Sequence, residues 1–553
     1  MKTCISEQKI STQNLDSLGI VASLCGDLGI AEKINKKLYN NDKRRIVTPG
    51  KAVEAMILNG LGLSNRVLYL TSRFFKEKPI SILLDENIKS TDLTEYTLGH
   101  TLDQIYEYGC ERLFSEVAFE MALEKDLLGE LNNVDTTTFS LQGNYYKKSS
   151  KDPEDPEGPT PIQITYGYSK DKRPDLKQFT LSLVMNSKAE LPIYSQSLDG
   201  NSSDKKALQK TIESVIKFQE NIDYKKPLRW IADSALYSKT QLLKSNEFSW
   251  ITRIPHSIKQ SKILLSKKIE SSKWKKIEKG YKYSVHDSNY GNIPQKWLLI
   301  YSDSKYKKER EKLLKSYKKE KEIIEKKLKG MSKPLHKSEK ILKEKIKEVS
   351  KKLKYFKLVT VIKKEARVIK GSKEEFYKLN WELKQDIESI KLKIRTLGRF
   401  ILGTNDIEEK YQSMDEILEL YKSQQKVERG FRFLKDPWFM VDDFYLKKPE
   451  RIEALMVIMT LTLFVYNYGQ YKLRKALKDE KETLPNQKGK KVTKPTLKWV
   501  FQLMQGISVV LINDGNDELQ KVVTNIDHVR RKIIFLMNNR TPEIYKLAKF
   551  EFT

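Results

Sequence analysis

The chain has 553 residues, is 39 % hydrophobic and 10 % aromatic, and carries a formal net charge of +30. That much apolar material excludes wholesale disorder, and the length predicts several domains at roughly 150 residues each. The cationic excess points to an anionic partner, nucleic acid or a membrane surface, or to a solvated, self-repelling surface; alone it does not choose between them.

Residues 1–128 read as a helical domain. Ile20, Val21, Leu24, Leu28, Ile30, Ile34 and Leu38 recur at helix-like intervals. Thr48-Pro49 forms an N-cap with proline at the first helical position, opening a helix over Ala52–Leu61. Further periodic runs cover Val67–Phe75 and Leu102–Leu127. Lys43-Arg44-Arg45 lies in a loop, which suits DNA binding and an ordinary solvated turn equally. Cys4, Cys25 and Cys110 are odd in number and far apart, which excludes a disulfide framework and a four-cysteine zinc site. Cys25 is expected to be buried and reduced. The first residues, MKTCISEQKISTQ, lack the apolar core of a signal peptide.

The texture changes at Asn133. Val134–Leu141, Gln178–Met185, Pro192–Ser197, Leu228–Ala232 and Phe248–Ile254 read as strands. Lys147–Pro161 reads as a loop, and Asp204–Gln219 and Ser238–Leu243 read as helices. Strands in succession followed by alternating helix and strand predict a mixed α/β sheet. This core, residues 129–256, is interrupted over 257–396. Gly280–Tyr301 is β-rich, and Lys305–Lys357 predicts an antiparallel helical hairpin broken at Gly330 and Pro334. The hairpin, residues 305–357, holds 22 basic and 8 acidic residues. A solvated, lysine-rich hairpin and a DNA-gripping arm both fit that charge.

Phe400–Asn405 predicts the end of a strand, after which residues 397–475 resume the core in helical form. Ala454–Tyr471 has 18 residues without a charge, but its Thr, Asn and Gln content predicts a buried core helix rather than a membrane span. Residues 476–553 read as a helical tail suited to dimerisation. A soluble, cytoplasmic protein is the expectation.

Three carboxylates stand out. Asp135 lies in the β-branched run Val134-Asp135-Thr136-Thr137-Thr138, where propensity disfavours it. Asp233 follows Trp230-Ile231-Ala232 at the carboxyl end of a strand, where α/β sheets present functional groups. Either alone reads better as a turn or capping aspartate. Glu428 lies in a helical stretch with Tyr421, Gln424, Arg432 and Lys435. At about 100° per residue these five share a stripe about 80° wide. Leu420, Val427, Phe431 and Leu434 form the adjoining apolar stripe.

The run Tyr421-x2-Gln424-x3-Glu428-x6-Lys435 resembles the Tyr-x2-Arg-x3-Glu-x6-Lys motif of the DDE transposases of bacterial insertion sequences, in the group named for insertion sequence four. Asn133-Val-Asp135-Thr-Thr-Thr resembles that family's first acidic motif, and Ile231-Ala-Asp233-Ser-Ala-Leu-Tyr resembles the second. The stretches Gly167-Tyr-Ser-Lys-Asp-Lys-Arg-Pro-Asp175 and Asp199-Gly-Asn-Ser-Ser-Asp204 resemble family loops. Gln424 departs from the usual arginine, and Arg432 on the same face is a candidate substitute.

The resemblance implies a ribonuclease-H-like core in the retroviral-integrase superfamily, with an insertion between the second and third acids. It implies Asp135, Asp233 and Glu428 as catalytic metal ligands for Mg²⁺ or Mn²⁺, two ions per site. Tyr421, Gln424, Arg432 and Lys435 would contact DNA. The implied activity is cut-and-paste transposition of the chain's own element, on terminal repeats and target DNA, by a homodimer. Two rivals are an inactive relative that binds or pairs ends without cutting, and a basic coiled-coil protein with accidental motif matches.

Overall fold

The computed structural model describes residues 9–39, 45–62, 70–143, 145, 160–221, 229–237, 248–277, 280–369, 372–410, 412–436, 446–513 and 519–547. The chain forms two compact units, Met1–Leu236 with Leu420–Thr553, and Tyr237–Glu419. Lys43, Arg44, Val67, most of Lys147–Pro161, Leu228 and Ser238–Leu243 fall outside the described residues.

The first unit opens with a strand, β1 (Lys9–Asn14), then the helices Leu18–Leu28, Ile30–Leu38, Pro49–Leu61, Glu95–Tyr108 and Cys110–Glu124. The apolar run over residues 20–38 is two helices rather than one. Gly29, at φ 63°, ends the first and starts the second. Thr48 caps the third helix, its hydroxyl accepting from the Lys51 N–H, with Pro49 at the first position. Cys25 is buried and free. Arg45, at the described end of its loop, donates to Gln104, Thr101 and the Val47 carbonyl, so its guanidinium is occupied within the fold.

The sheet of this unit is β2 (Leu131–Leu141), β3 (Lys177–Asn186), β4 (Leu191–Leu198) and β5 (Arg229–Ala232), in the order β4-β3-β2-β5. β2 to β4 are antiparallel; β5 runs parallel to β2. A parallel neighbour requires a crossover, supplied by the helix Asp204–Asn221 between β4 and β5. That helix buries Leu208, Ile212 and Val215, and its Thr211 hydroxyl meets Ser182 of β3 at 2.8 Å.

The second unit contains β6 (Ser249–Arg253), β7 (Lys275–Ile277), β8 (Tyr281–Ser288), β9 (Gln295–Ser302), the helices Asp303–Ser332 and Glu339–Lys351, then β10 (Phe356–Ile369), β11 (Ser372–Gln385) and β12 (Arg399–Thr404). β6, β12, β9, β8 and β7 pair antiparallel in that order. The helices lie where the sequence placed them, with Gly330 inside the first. After the two helices, β10 and β11 form a 14-residue antiparallel ribbon that the sequence reading missed. Ile324, Leu328 and Val349 bury themselves against Leu358, Trp381 and Leu383 of that ribbon. A stripe too narrow for a free helical pair thus has a sheet face as its seat.

The chain returns to the first unit through the helices Gln425–Leu434 and Pro449–Asp479. The latter is long and apolar enough to cross a membrane by composition, but it is packed inside the unit against β4 and the N-terminal helices. Arg451 pairs with Asp103 at 2.7 Å, and Tyr468 and Lys472 both reach Asp27. The tail is not purely helical, which corrects the reading of residues 476–553. After β13 (Leu484–Pro485) and β14 (Lys491–Val492) come β15 (Ser508–Asn513) and β16 (Leu519–Thr524). β15 pairs with both β1 and β16, so the two ends of the chain share one sheet.

Leu328 is fully buried at the meeting of helix and ribbon. Leu328→Ala is expected to cost about 2–5 kcal/mol in the second unit. Denaturant unfolding followed by tryptophan fluorescence measures it, Trp381 being in the cluster, and an effect below about 1 kcal/mol would contradict the packing described.

Candidate active site

The site begins with strand register. The last β2–β5 pair is Val134 with Ala232, so the next residues, Asp135 and Asp233, stand side by side on parallel neighbours. β5 ends there, leaving the β2 edge beyond Val134 uncovered by β5. Each aspartate accepts one local N–H: Asp135 from Thr136 at 2.7 Å, and Asp233 from Ala235 at 2.8 Å. The latter turns the chain into a short 3₁₀ segment, Ser234–Leu236.

The uncovered edge receives the loop before β3. Lys170 donates its ammonium to the Thr136 carbonyl and hydroxyl, both at 2.7 Å. The same nitrogen is 3.3 Å from Asp204 Oδ2 and 4.0 Å from Asp135 Oδ1. Asp204, the first residue of the crossover helix, accepts from the Thr136 hydroxyl at 2.7 Å. Burial raises the Asp135 carboxyl to about 6, with Asp233 and Asp204 adding to the rise and Lys170 opposing it. Asp233 is raised for the same first cause, and again Lys170 opposes.

Two glycines let this loop lie so close. A Cβ on Gly167 would come within 2.1 Å of the Gly200 carbonyl oxygen, and one on Gly200 within 2.0 Å of the Gln178 carbonyl oxygen. The backbones are stitched together, with Gly200 N donating to Gln163 O and Gln178 Nε2 to Gly200 O. Lys170 and Asp204 both follow from this crossing.

The helix Gln425–Leu434 lies over β2 and β3, burying Val427, Gly430, Phe431 and Leu434. Ser423 Oγ donates to Asn133 Oδ1 at 3.0 Å at one end; at the other the Lys435 ammonium sits 5.3 Å from the Phe139 ring centre. Asn133, Asp135 and Phe139 are alternate β2 positions and so share a face. At about 1.5 Å per helical residue and about 3.3 Å per strand residue, Glu428 comes level with Asp135 along that face.

The sequence had these residues on one continuous helix; the structure breaks it. One helix, Ile417–Lys422, ends before Ser423, and i→i−3 bonds tighten the turn: Gln424 N to Tyr421 O, Lys426 N to Ser423 O, Val427 N to Gln424 O. This turn rotates the first half of the motif relative to the second. Gln424 is consequently buried at 8 % exposure, and Tyr421 is half-buried. Glu428 and Arg432 are exposed. Lys435 pairs with Asp171 at 2.8 Å.

Asp135 and Asp233 are thus brought together, and Glu428 shares their face without closing on them. Among the described residues, no three His, Cys, Asp or Glu side chains converge as a metal-binding group. The donor chemistry nonetheless suits a hard divalent cation, since the acids near Asp135 offer only oxygens, and burial, with the neighbouring acids adding to it, disfavours ionisation without a cation. The sequence reading passed over Lys170, Asp171 and Asp204 as chemistry. Their signal was present in the Gly167–Asp175 and Asp199–Asp204 stretches, but only the fold brings them to β2.

A family model described as the transposase DDE domain matches residues 133–465, and one described as a domain of unknown function (DUF4277) matches residues 10–119. The chain belongs to the transposase DDE-domain family. It is a DDE-type transposase, an enzyme of DNA transposition, whose family works with divalent metal ions on DNA. None of the curated proteins compared with the chain matches it. Among solved structures, a piggyBac transposase synaptic complex with hairpin DNA aligns at 8 % identity and a TM-score of 0.35, covering 90 % of this chain and 82 % of that one.

The raised Asp135 carboxyl makes the transposase's stability depend on pH. Its folded value of about 6 exceeds the ordinary unfolded value of about 3.9, so the stability it contributes is fully present below about pH 4 and lost as pH rises through about 6. Asp135→Asn is therefore expected to raise the melting temperature at pH 8 and leave it nearly unchanged at pH 4. A lower melting temperature at pH 8 would contradict the electrostatic account.

Proposed function

We propose that this transposase cuts and rejoins DNA at a site formed by Asp135, Asp233 and Glu428, moving its own insertion sequence in a cut-and-paste reaction. The observation that carries this reading is the register that sets Asp135 beside Asp233, with Glu428 level with them on the same β2 face. An order β4-β3-β2-β5, with β5 parallel to β2, one acid within β2 and one directly after β5, supports a ribonuclease-H-like core.

Asp135 and Asp233 would hold Mg²⁺ or Mn²⁺, two ions in our reading, and Glu428 would complete the ligand set from its helix. Divalent metal, when bound, supplies positive charge that lowers the cost of an attacking oxygen and offsets charge on the phosphate. The protein's own part is positional. Strand register fixes the two aspartates, and the buried face of the Gln425–Leu434 helix fixes the third acid. Arg432, exposed on that helix, and Lys435 at its end suit backbone phosphates, contacts that orient DNA without reading its sequence. Tyr421 would support them from the preceding helix, and Gln424, being buried, would act by holding the turn. The helical domain over residues 1–128 is the candidate for recognising terminal repeats. We assign the enzyme to the group named for insertion sequence four, acting as a homodimer in a prokaryotic cytoplasm.

The deciding experiment is incubation with the DNA that flanks its gene, with Mg²⁺, wild type beside Glu428→Ala and Asp135→Ala. Wild type should nick the element ends, with each variant slower by at least about a hundredfold, the scale on which positioned electrostatic groups act. Equal cleavage by all three would overturn the site assignment. End binding without cleavage by wild type would favour an inactive DNA-pairing protein.

A further inference from the structure

Lys170 and Asp171 are adjacent in sequence and engage two different parts of the candidate site. The Lys170 ammonium lies 3.3 Å from Asp204 and 4.0 Å from Asp135, and it offsets the charge of both Asp135 and Asp233. The Asp171 carboxylate takes both its oxygens to Lys435 Nζ, at 2.9 and 2.8 Å. One residue puts a cation among the acids; the next puts an anion on the lysine.

We propose that this dipeptide is a built-in stand-in for the metal–phosphate pair, occupying the site in the DNA-free enzyme and leaving it when metal and DNA arrive. The inference rests on the reading above, that Asp135 binds metal and Lys435 binds phosphate. Three observations carry it beyond that reading. The charges match in sign and order, with cation at the carboxylates and anion at the lysine. The loop backbone is held to the sheet as far as Lys170, by the Gly167–Gly200 crossing, Gln178 Nε2 on Tyr168 O and the Lys170 N–H on the Thr138 hydroxyl, so what leaves is the Lys170 side chain together with Asp171. Past Lys170 the internal ties are local, Lys172–Ser169, Arg173–Ser169, Arg173–Asp175 and Leu176–Arg173. The side chains of Lys170 and Lys435 are 29 % and 26 % exposed, so a soluble ion can reach both contacts.

The contact has a function in the free state. Buried acids without a cation would repel one another, and a bare lysine at the end of the Glu428 helix would take any phosphate. With the dipeptide in place each group is satisfied internally, at the expense of affinity. A ligand that must displace an internal competitor binds more weakly in proportion to the fraction of molecules left open. Metal and DNA then help one another, because each frees one half of the same loop.

The test uses the full chain and two probes. Mn²⁺ alone is titrated by calorimetry into wild type, Lys170→Gln and Lys170→Arg, with Asp135→Asn as a control that should lose binding. Lys170→Gln should bind Mn²⁺ at least about tenfold more tightly than wild type, and Lys170→Arg, which keeps the cation, should stay near wild type. A generic blunt-ended duplex is then titrated in EDTA, where Asp171→Asn should bind about three- to tenfold more tightly because Lys435 is released. Unchanged or weaker Mn²⁺ binding by Lys170→Gln, with wild type binding normally, overturns the stand-in and leaves the metal reading intact. No Mn²⁺ binding by any of them overturns the metal reading, and the stand-in with it. Unchanged duplex binding by Asp171→Asn overturns the Asp171 half; the folding of Lys170→Gln is read from its own melting curve, and if it is not folded Lys170→Met is titrated in its place with the same two outcomes.

Discussion

Two carboxylates side by side on neighbouring parallel strands, Asp135 within β2 and Asp233 just past the end of β5, set the terms for the rest of this molecule. The Val134–Ala232 pair makes their adjacency a matter of backbone geometry, not of side-chain choice. Strands move little, so the repulsion cannot be relaxed by drifting apart. It has to be met by protonation, by a cation from solution, or by a cation from the chain. The Asp135 carboxyl is raised mainly by burial, with Asp233 and Asp204 adding to it, and the third is visible in Lys170. The second is the family's chemistry.

The surrounding packing serves that constraint. The crossover helix must exist for β5 to run parallel to β2, and its first residue is Asp204. The Glu428 helix is seated through its apolar face and pinned by Ser423 to Asn133 and by Lys426 to the Ser187 carbonyl. Its position is therefore referred to the same strand that carries Asp135. At Gly430 the helix comes so close to the sheet and to the long Pro449–Asp479 helix that an added Cβ would meet Leu183 at 3.3 Å, Leu463 at 3.4 Å and Met185 at 3.5 Å. A site built on rigid elements can hold groups in a disfavoured charge state because the cost is spread over the core.

What the sequence made legible follows from how local each signal is. The strands carrying Asp135 and Asp233 were readable, since β-branched and apolar residues announce them, and an acid inside such a run is conspicuous. Their adjacency was not readable, because parallel register is set by a pairing about a hundred residues apart. The β1–β15 pairing was lost for the same reason, and so was the sheet character of the tail. The β10–β11 ribbon was hidden differently: Lys363, Lys364, Glu365, Glu374 and Glu375 blur the alternation that marks a strand, and the buried positions Phe356, Phe376 and Leu379, with the half-buried Trp381 and Leu383, are few among them. The kink at Ser423 has no proline or glycine to signal it. It arises where the Ser423 hydroxyl turns to Asn133 and to the Leu420 carbonyl.

The charge of +30 and the three acids make opposite demands on a polyanion. Lysine spread over a surface raises the local concentration of DNA from a distance and makes affinity fall with salt, whatever the sequence bound. Close to Asp135 the sign reverses, and phosphate is repelled unless something cationic stands between. Long-range attraction and short-range repulsion together make a protein that gathers DNA without committing it, and only a bound cation changes the second term. Lys170 lowers that repulsion by one charge but is tethered by a chain that also carries Asp171, so its cation comes with its own anion. The dipeptide is neutral as a pair, and a divalent ion is not. That difference in charge separates a resting site from one that can accept a phosphodiester.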